Sequence, residues 1–127
     1  MANSATRFFR AMAWLFLAGV VIQVTLAGLT VVALQIDWSM HRELGHIIGL
    51  PIYLMVITMV VGRAGGEVKR LTWILLLVFI LQTGVTIFMR TSPAPLVYLS
   101  ALHPVFALLD FWLALRLLGA SKLPAAT

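Results

Sequence analysis

An all-α integral membrane bundle of four antiparallel helices is the fold this sequence predicts, and three observations predict it. Apolar residues make up 62% of the 127 positions and charged residues only 10%, a composition far from that of a soluble domain. Four stretches, at about residues 11–34, 40–62, 71–89 and 98–118, are nearly free of charge, and each has the ~20 residues a helix needs to cross a bilayer. The links between them are short, which favours an up-down-up-down order. Residues 1–127 are therefore expected to form one four-span membrane domain, with the lipid bilayer as its first partner.

Each element can be justified in turn. Arg7 and Arg10 precede the first span, whose apolar run exceeds the ~7–15 residues of a cleaved secretion signal, so it reads as a retained helix. Asp37 and Ser39 in the first link are helix starters. The second span is interrupted only at its mouth, by Arg42 and Glu43. Gly65 and Gly66 suit a tight turn into the third span. Pro93 and Pro95 mark an ordered loop before the fourth, where Pro104 is compatible with a first helical turn.

Charge sets the expected orientation. The net charge is +5, but the cations flank the spans and form no aromatic-interleaved patch, so nucleic acid is not an expected partner. Arg7, Arg10, Arg63, Lys69, Arg70, Arg116 and Lys122 fall on one side and Arg42 and Arg90 on the other. By the positive-inside rule both termini are cytoplasmic, in a multi-pass plasma (inner) membrane protein of bacterial type. There are no cysteines, which removes disulfides, thiolate metal sites and thioether-linked haem from consideration.

A faint 2+2 pseudo-repeat relates the two hairpins. Gln23 precedes His41 by 18 residues, and Gln82 precedes His103 by 21. A pseudo-twofold along the membrane normal would turn His41 toward His103. Groups of this kind within spans are costly and are the default functional candidates. Two neutral imidazoles facing one another at equal depth suit the two axial positions of a tetrapyrrole iron, as in a b-type haem. Gly45 and Ala107, each four residues after its histidine, are small enough to admit a macrocycle. Arg42 and Arg90 are candidates for pairing with propionates.

Three further residues carry alternatives. His46, five residues after His41, is rotated from it by roughly 140° on an ideal helix, and so reads as an interhelical hydrogen-bonder or a propionate contact rather than a second ligand to the same iron. For His41 taken alone, an interfacial histidine beneath the headgroups is the plain alternative. Asp110, near the middle of the fourth span, is either an acid satisfied by Thr25, Thr58, Thr83 or Thr86, or a proton-relay or quinone-contacting group.

The stretch His41-Arg42-Glu43-Leu44-Gly45-His46-Ile47-Ile48-Gly49 resembles the His-Arg-x-x-Gly-x-x-x-Gly opening of a haem-ligating helix in haem A synthases. Ala101-Leu102-His103 followed by Ala107-Leu108-Leu109 is similar to the partner ligand helix, and Leu81-Gln82-Thr83-Gly84 to the family's Leu-Gln-x-x-Gly stretch. Those synthases are eight-span fusions of two four-helix units, so this chain looks like a single half-length unit. The resemblance implies His41 and His103 as axial ligands, with His46 where an arginine is common. Where the catalytic half carries a glutamate, three residues before the ligand, this chain has Trp38; the loop cysteines are absent too, so methyl oxidation is not implied.

The expected function is accordingly a membrane b-type haem-binding protein with bis-histidine ligation, an electron carrier or accessory redox subunit rather than an enzyme. A quinone or a redox protein is its expected partner. The alternative is a structural or pigment-binding subunit of a larger membrane complex or homo-oligomer, holding a chlorophyll-type tetrapyrrole or no cofactor.

Overall fold

The computed structural model describes residues 3–34 and 36–121, with backbone only at 3 and 88–90. All regular structure among them is helical: α1 (Asn3–Val31), α2 (Ser39–Ile48), α3 (Leu50–Val61), α4 (Gly66–Arg90), a 3-10 segment (Leu96–Leu102) and α5 (His103–Ala120). Four spans are long and apolar enough to cross a membrane: Ser4–Val31, Ser39–Val61, Gly66–Ile87 and Leu96–Ala120. The chain is thus a four-helix membrane-spanning bundle.

Two spans are less regular than a hydropathy reading suggests, and proline explains both. Pro51 lacks an N–H and its ring crowds the carbonyl four residues back, so the second span breaks at Gly49 into α2 and α3. Pro104 sits in the first turn of α5, a position that tolerates it, and the chain before it runs as 3-10 turns. Each histidine-bearing span thus carries an irregularity, at Gly49 in one and just before His103 in the other.

The helices form a ring in the order α1, α2/α3, α4, α5, with α5 closing on α1. At the end where α1 begins and α5 finishes, Arg10 Nη1 donates to the Leu118 carbonyl at 2.6 Å, satisfying a backbone acceptor that the last turn of α5 leaves open. This half is densely packed. Phe9, Ala13 and Phe16 of α1 meet Ile52, Met55 and Met59 of α3, Leu71 and Leu75 of α4, and Leu113, Ala114 and Leu117 of α5, all buried. Gly19 lets α1 approach closely, since a Cβ there would lie 2.5 Å from Ile48. Phe16 and Phe79 meet edge to face across the bundle, with ring centroids 6.1 Å apart.

The opposite half is built differently. Between Val20 and Ile48, and between Leu75 and Asp110, Thr30 is the one buried side chain among the described residues. No Cα of α2 comes within 8 Å of α4, the 3-10 segment or α5 among the described residues. The two hairpins are thus joined through their packed half and separate toward the other end, leaving a cleft.

Candidate functional site

His41, the third residue of α2, and His103, the first residue of α5, face each other across this cleft. Their ring centroids lie 6.2 Å apart with planes inclined by 64°. Both are half-buried. The backbones stay apart while the two imidazoles reach toward one another.

Each ring is held by the same kind of hydrogen bond. His41 Nδ1 lies 3.2 Å from the Gln23 carbonyl, and His103 Nδ1 lies 3.3 Å from the Gln82 carbonyl. A carbonyl only accepts, so both Nδ1 atoms carry the proton in these bonds, and each Nε2 keeps its lone pair. Thr86 adds a second acceptor for His103, with Oγ1 2.7 Å from Nδ1. Its hydroxyl proton goes to the Gln82 carbonyl at 3.0 Å, which leaves the oxygen free to accept. Gln82 and Thr86 stand one turn apart on one face of α4, so a single helix face presents both acceptors.

The surroundings of His41 are less symmetric with those of His103 than the sequence suggests. Trp38 packs edge-on against the His41 ring, centroids 5.3 Å apart. Gln23 Nε2 donates to the His41 carbonyl at 3.0 Å. The same carboxamide takes the space left by Gly45, where a Cβ would sit 2.9 Å from Nε2. The missing side chain thus admits Gln23, and Gly45 bounds the cleft only through it. Ala107, one turn below His103, is half-buried.

The other candidate residues are dispersed. Arg42 and His46 are exposed, and His46 does not join the imidazole pair. The side chain of Arg90 and all of Lys122 lie outside the described residues. Asp110 is buried at 1% exposure, about 10 Å below His103 along α5. Its Oδ1 has no hydrogen-bond partner, and neither do Oε1 of Gln23 and Gln82. Three threonines expected as partners for Asp110 have their hydroxyls on their own helices instead: Thr25 on Val21, Thr58 on Leu54 and Thr86 on Gln82.

Outside the spans, the Asp37 carboxylate takes the amide and the hydroxyl of Ser39 at the start of α2. These hydrogen bonds, side chain first, hold the carboxyl below its ordinary range. That bond organises the turn which sets Trp38 and His41.

Sequence reasoning found the two imidazoles but missed their partners. Thr86 stands in the sequence reading only as one of four threonines offered to Asp110, and Trp38 only as a departure from a family pattern. The spacing of Gln82 and Thr86, four residues apart, was the signal for a shared face toward His103.

Residues 23–91, which run from the Gln23 support through His41 and Thr86, match the profile of a family described as a family of unknown function (DUF6220). Neither a curated protein nor a solved structure matches the chain.

Proposed function

We propose that this chain, which belongs to the DUF6220 family, is a membrane b-type haem protein in which His41 and His103 are the two axial ligands. The observation that carries the reading is the imidazole pair itself. Metal–imidazole bonds of about 2.0 Å, with each ring nitrogen about 1.1 Å from its centroid, place two ligands on one metal roughly 6 Å apart, centroid to centroid. The separation of 6.2 Å between these rings agrees with that spacing.

Three more features support it. Each Nδ1–H is engaged by a backbone carbonyl, which orients the ring, raises the basicity of Nε2 and leaves that nitrogen available to a metal. The hairpins also separate around the pair, with no Cα of α2 within 8 Å of α4 or α5 among the described residues. The likeness of the His41–Gly49 stretch to a haem-ligating helix points the same way.

When bound, a haem supplies one-electron redox chemistry. The protein's part is to orient the imidazoles through Gln23, Gln82 and Thr86. His41 and His103 would both hold the haem, and the chemistry it would then supply is electron transfer to or from a quinone or redox protein.

The test is a reduced-minus-oxidised spectrum of the purified protein beside His41→Ala and His103→Ala. Paired α and Soret bands that each substitution abolishes or shifts are expected. Far-red pigment bands would assign a chlorophyll-type ligand instead, and a colourless protein after expression with haem supplied would leave a structural subunit.

A further inference from the structure

At the opposite end of the bundle from the histidines, the turn joining α3 to α4 has a feature unrelated to the tetrapyrrole. Arg63 adopts a left-handed backbone conformation, with φ 49°. The chain here closes α3 by a Schellman motif: the Ala64 amide donates to the Met59 carbonyl at 3.0 Å and the Arg63 amide to the Val60 carbonyl at 3.2 Å. Such a position favours glycine, because a Cβ is strained there. Glycines stand at 62, 65 and 66, yet the strained position holds an arginine. Leu34 is the other non-glycine residue with positive φ among the described residues, so a role for Arg63 follows from what surrounds it.

A cavity of about 310 Å³ lies beside it, lined by Met59, Val60, Arg63, Ala64 and Lys69. At about 30 Å³ per water this holds roughly ten waters, which is room for a phosphoglycerol headgroup. Its wall combines two cations with apolar side chains and contains no carboxylate. The nearby acid, Glu67, faces Arg116 at 3.6 Å and does not line the cavity. The height is also right, since the apolar span ends at Val61, where a lipid passes from acyl chain to headgroup.

We infer that this cavity binds the phosphate of an anionic phospholipid, with Arg63 and Lys69 as its cationic ligands and the exposed Val60 against the first methylenes. A phosphodiester accepts from both cations, and the apolar wall distinguishes a lipid from a free anion.

The full chain in phosphatidylcholine nanodiscs, titrated with short-chain phosphatidylglycerol and read by native mass spectrometry, tests this. Wild type should retain phosphatidylglycerol in preference to phosphatidylcholine. Arg63→Gly and Lys69→Gln should each weaken retention about fivefold. Arg63→Gly also relieves the backbone, so its thermal midpoint in phosphatidylcholine should equal or exceed wild type, which separates lost binding from misfolding. Unchanged retention in both variants, or equal retention of the zwitterionic lipid, would overturn the inference. So would full displacement by millimolar inorganic phosphate, which would mark an anion site without lipid character.

Discussion

Thr86→Val isolates the support of one imidazole without touching either ring. The change keeps the branched shape of the side chain and removes only the oxygen that lies 2.7 Å from His103 Nδ1. That distance is the shortest of the three acceptor contacts to the two rings, the others being 3.2 Å and 3.3 Å. His103 is then left with the Gln82 carbonyl alone, at the long end of the hydrogen-bond range. Loss of a neutral hydrogen bond costs about 0.5–1.5 kcal/mol of stability. Loss of a support behind a metal-ligating histidine typically costs 10–100-fold in metal affinity, or about 1.4–2.7 kcal/mol. The assay is a haem titration of the apoprotein, followed by the Soret band, with the thermal midpoint measured in parallel. Thr86→Val should lose 10–100-fold in haem affinity with a modest fall in stability, and Thr86→Ser should behave as wild type. If Thr86→Val bound haem with wild-type affinity and an unchanged spectrum, Thr86 would not orient a ligand and the account of the site would be wrong.

Three predictions test the scaffold independently of any cofactor. Gly19→Val should destabilise the bundle by about 1–3 kcal/mol in detergent unfolding, because its Cβ would meet Ile48 at 2.5 Å; a neutral effect would mean that α1 and α2 do not pack as described. Asp110→Asn should stay within about 1 kcal/mol of wild type, since Oδ1 of the acid has no partner to lose, and a large loss of thermal stability would reveal a bond to that oxygen. The Asp37 carboxyl is held below its ordinary range by Ser39, so its stabilising effect is complete above the unfolded value of about 3.9 and is lost as pH falls through the lower folded value. Wild type and Asp37→Asn should therefore show parallel melting curves from pH 5 to 8 and converge only in acid; divergence near neutrality would contradict the assignment.

Much of the architecture is legible from residue order because a bilayer admits few solutions. An apolar run with no water to satisfy its backbone must become a helix, so the four spans and their antiparallel order follow from composition and link length. Candidate ligands were legible for the same reason: histidines within such spans stand out against an apolar background. Pro51 and Pro104 were visible as well, but only Pro104 was read for its effect on the backbone, and the break at Gly49 shows that Pro51 acts equally.

What residue order left open was where packing stops. Phe16, Met55, Leu75 and Leu117 read no differently from Leu26, Leu44, Val85 and Phe106, yet the first group is buried and the second is not. Hydrophobicity says that a side chain leaves water, whereas burial against protein rather than lipid depends on how close two helices come. Where α1 meets α2 that distance was decided by Gly19 admitting Ile48. The hydrogen bonds behind the imidazoles belong to the same category: backbone carbonyls carry no signature in the sequence, and only the folded chain brings Gln23 and Gln82 up to the rings they orient.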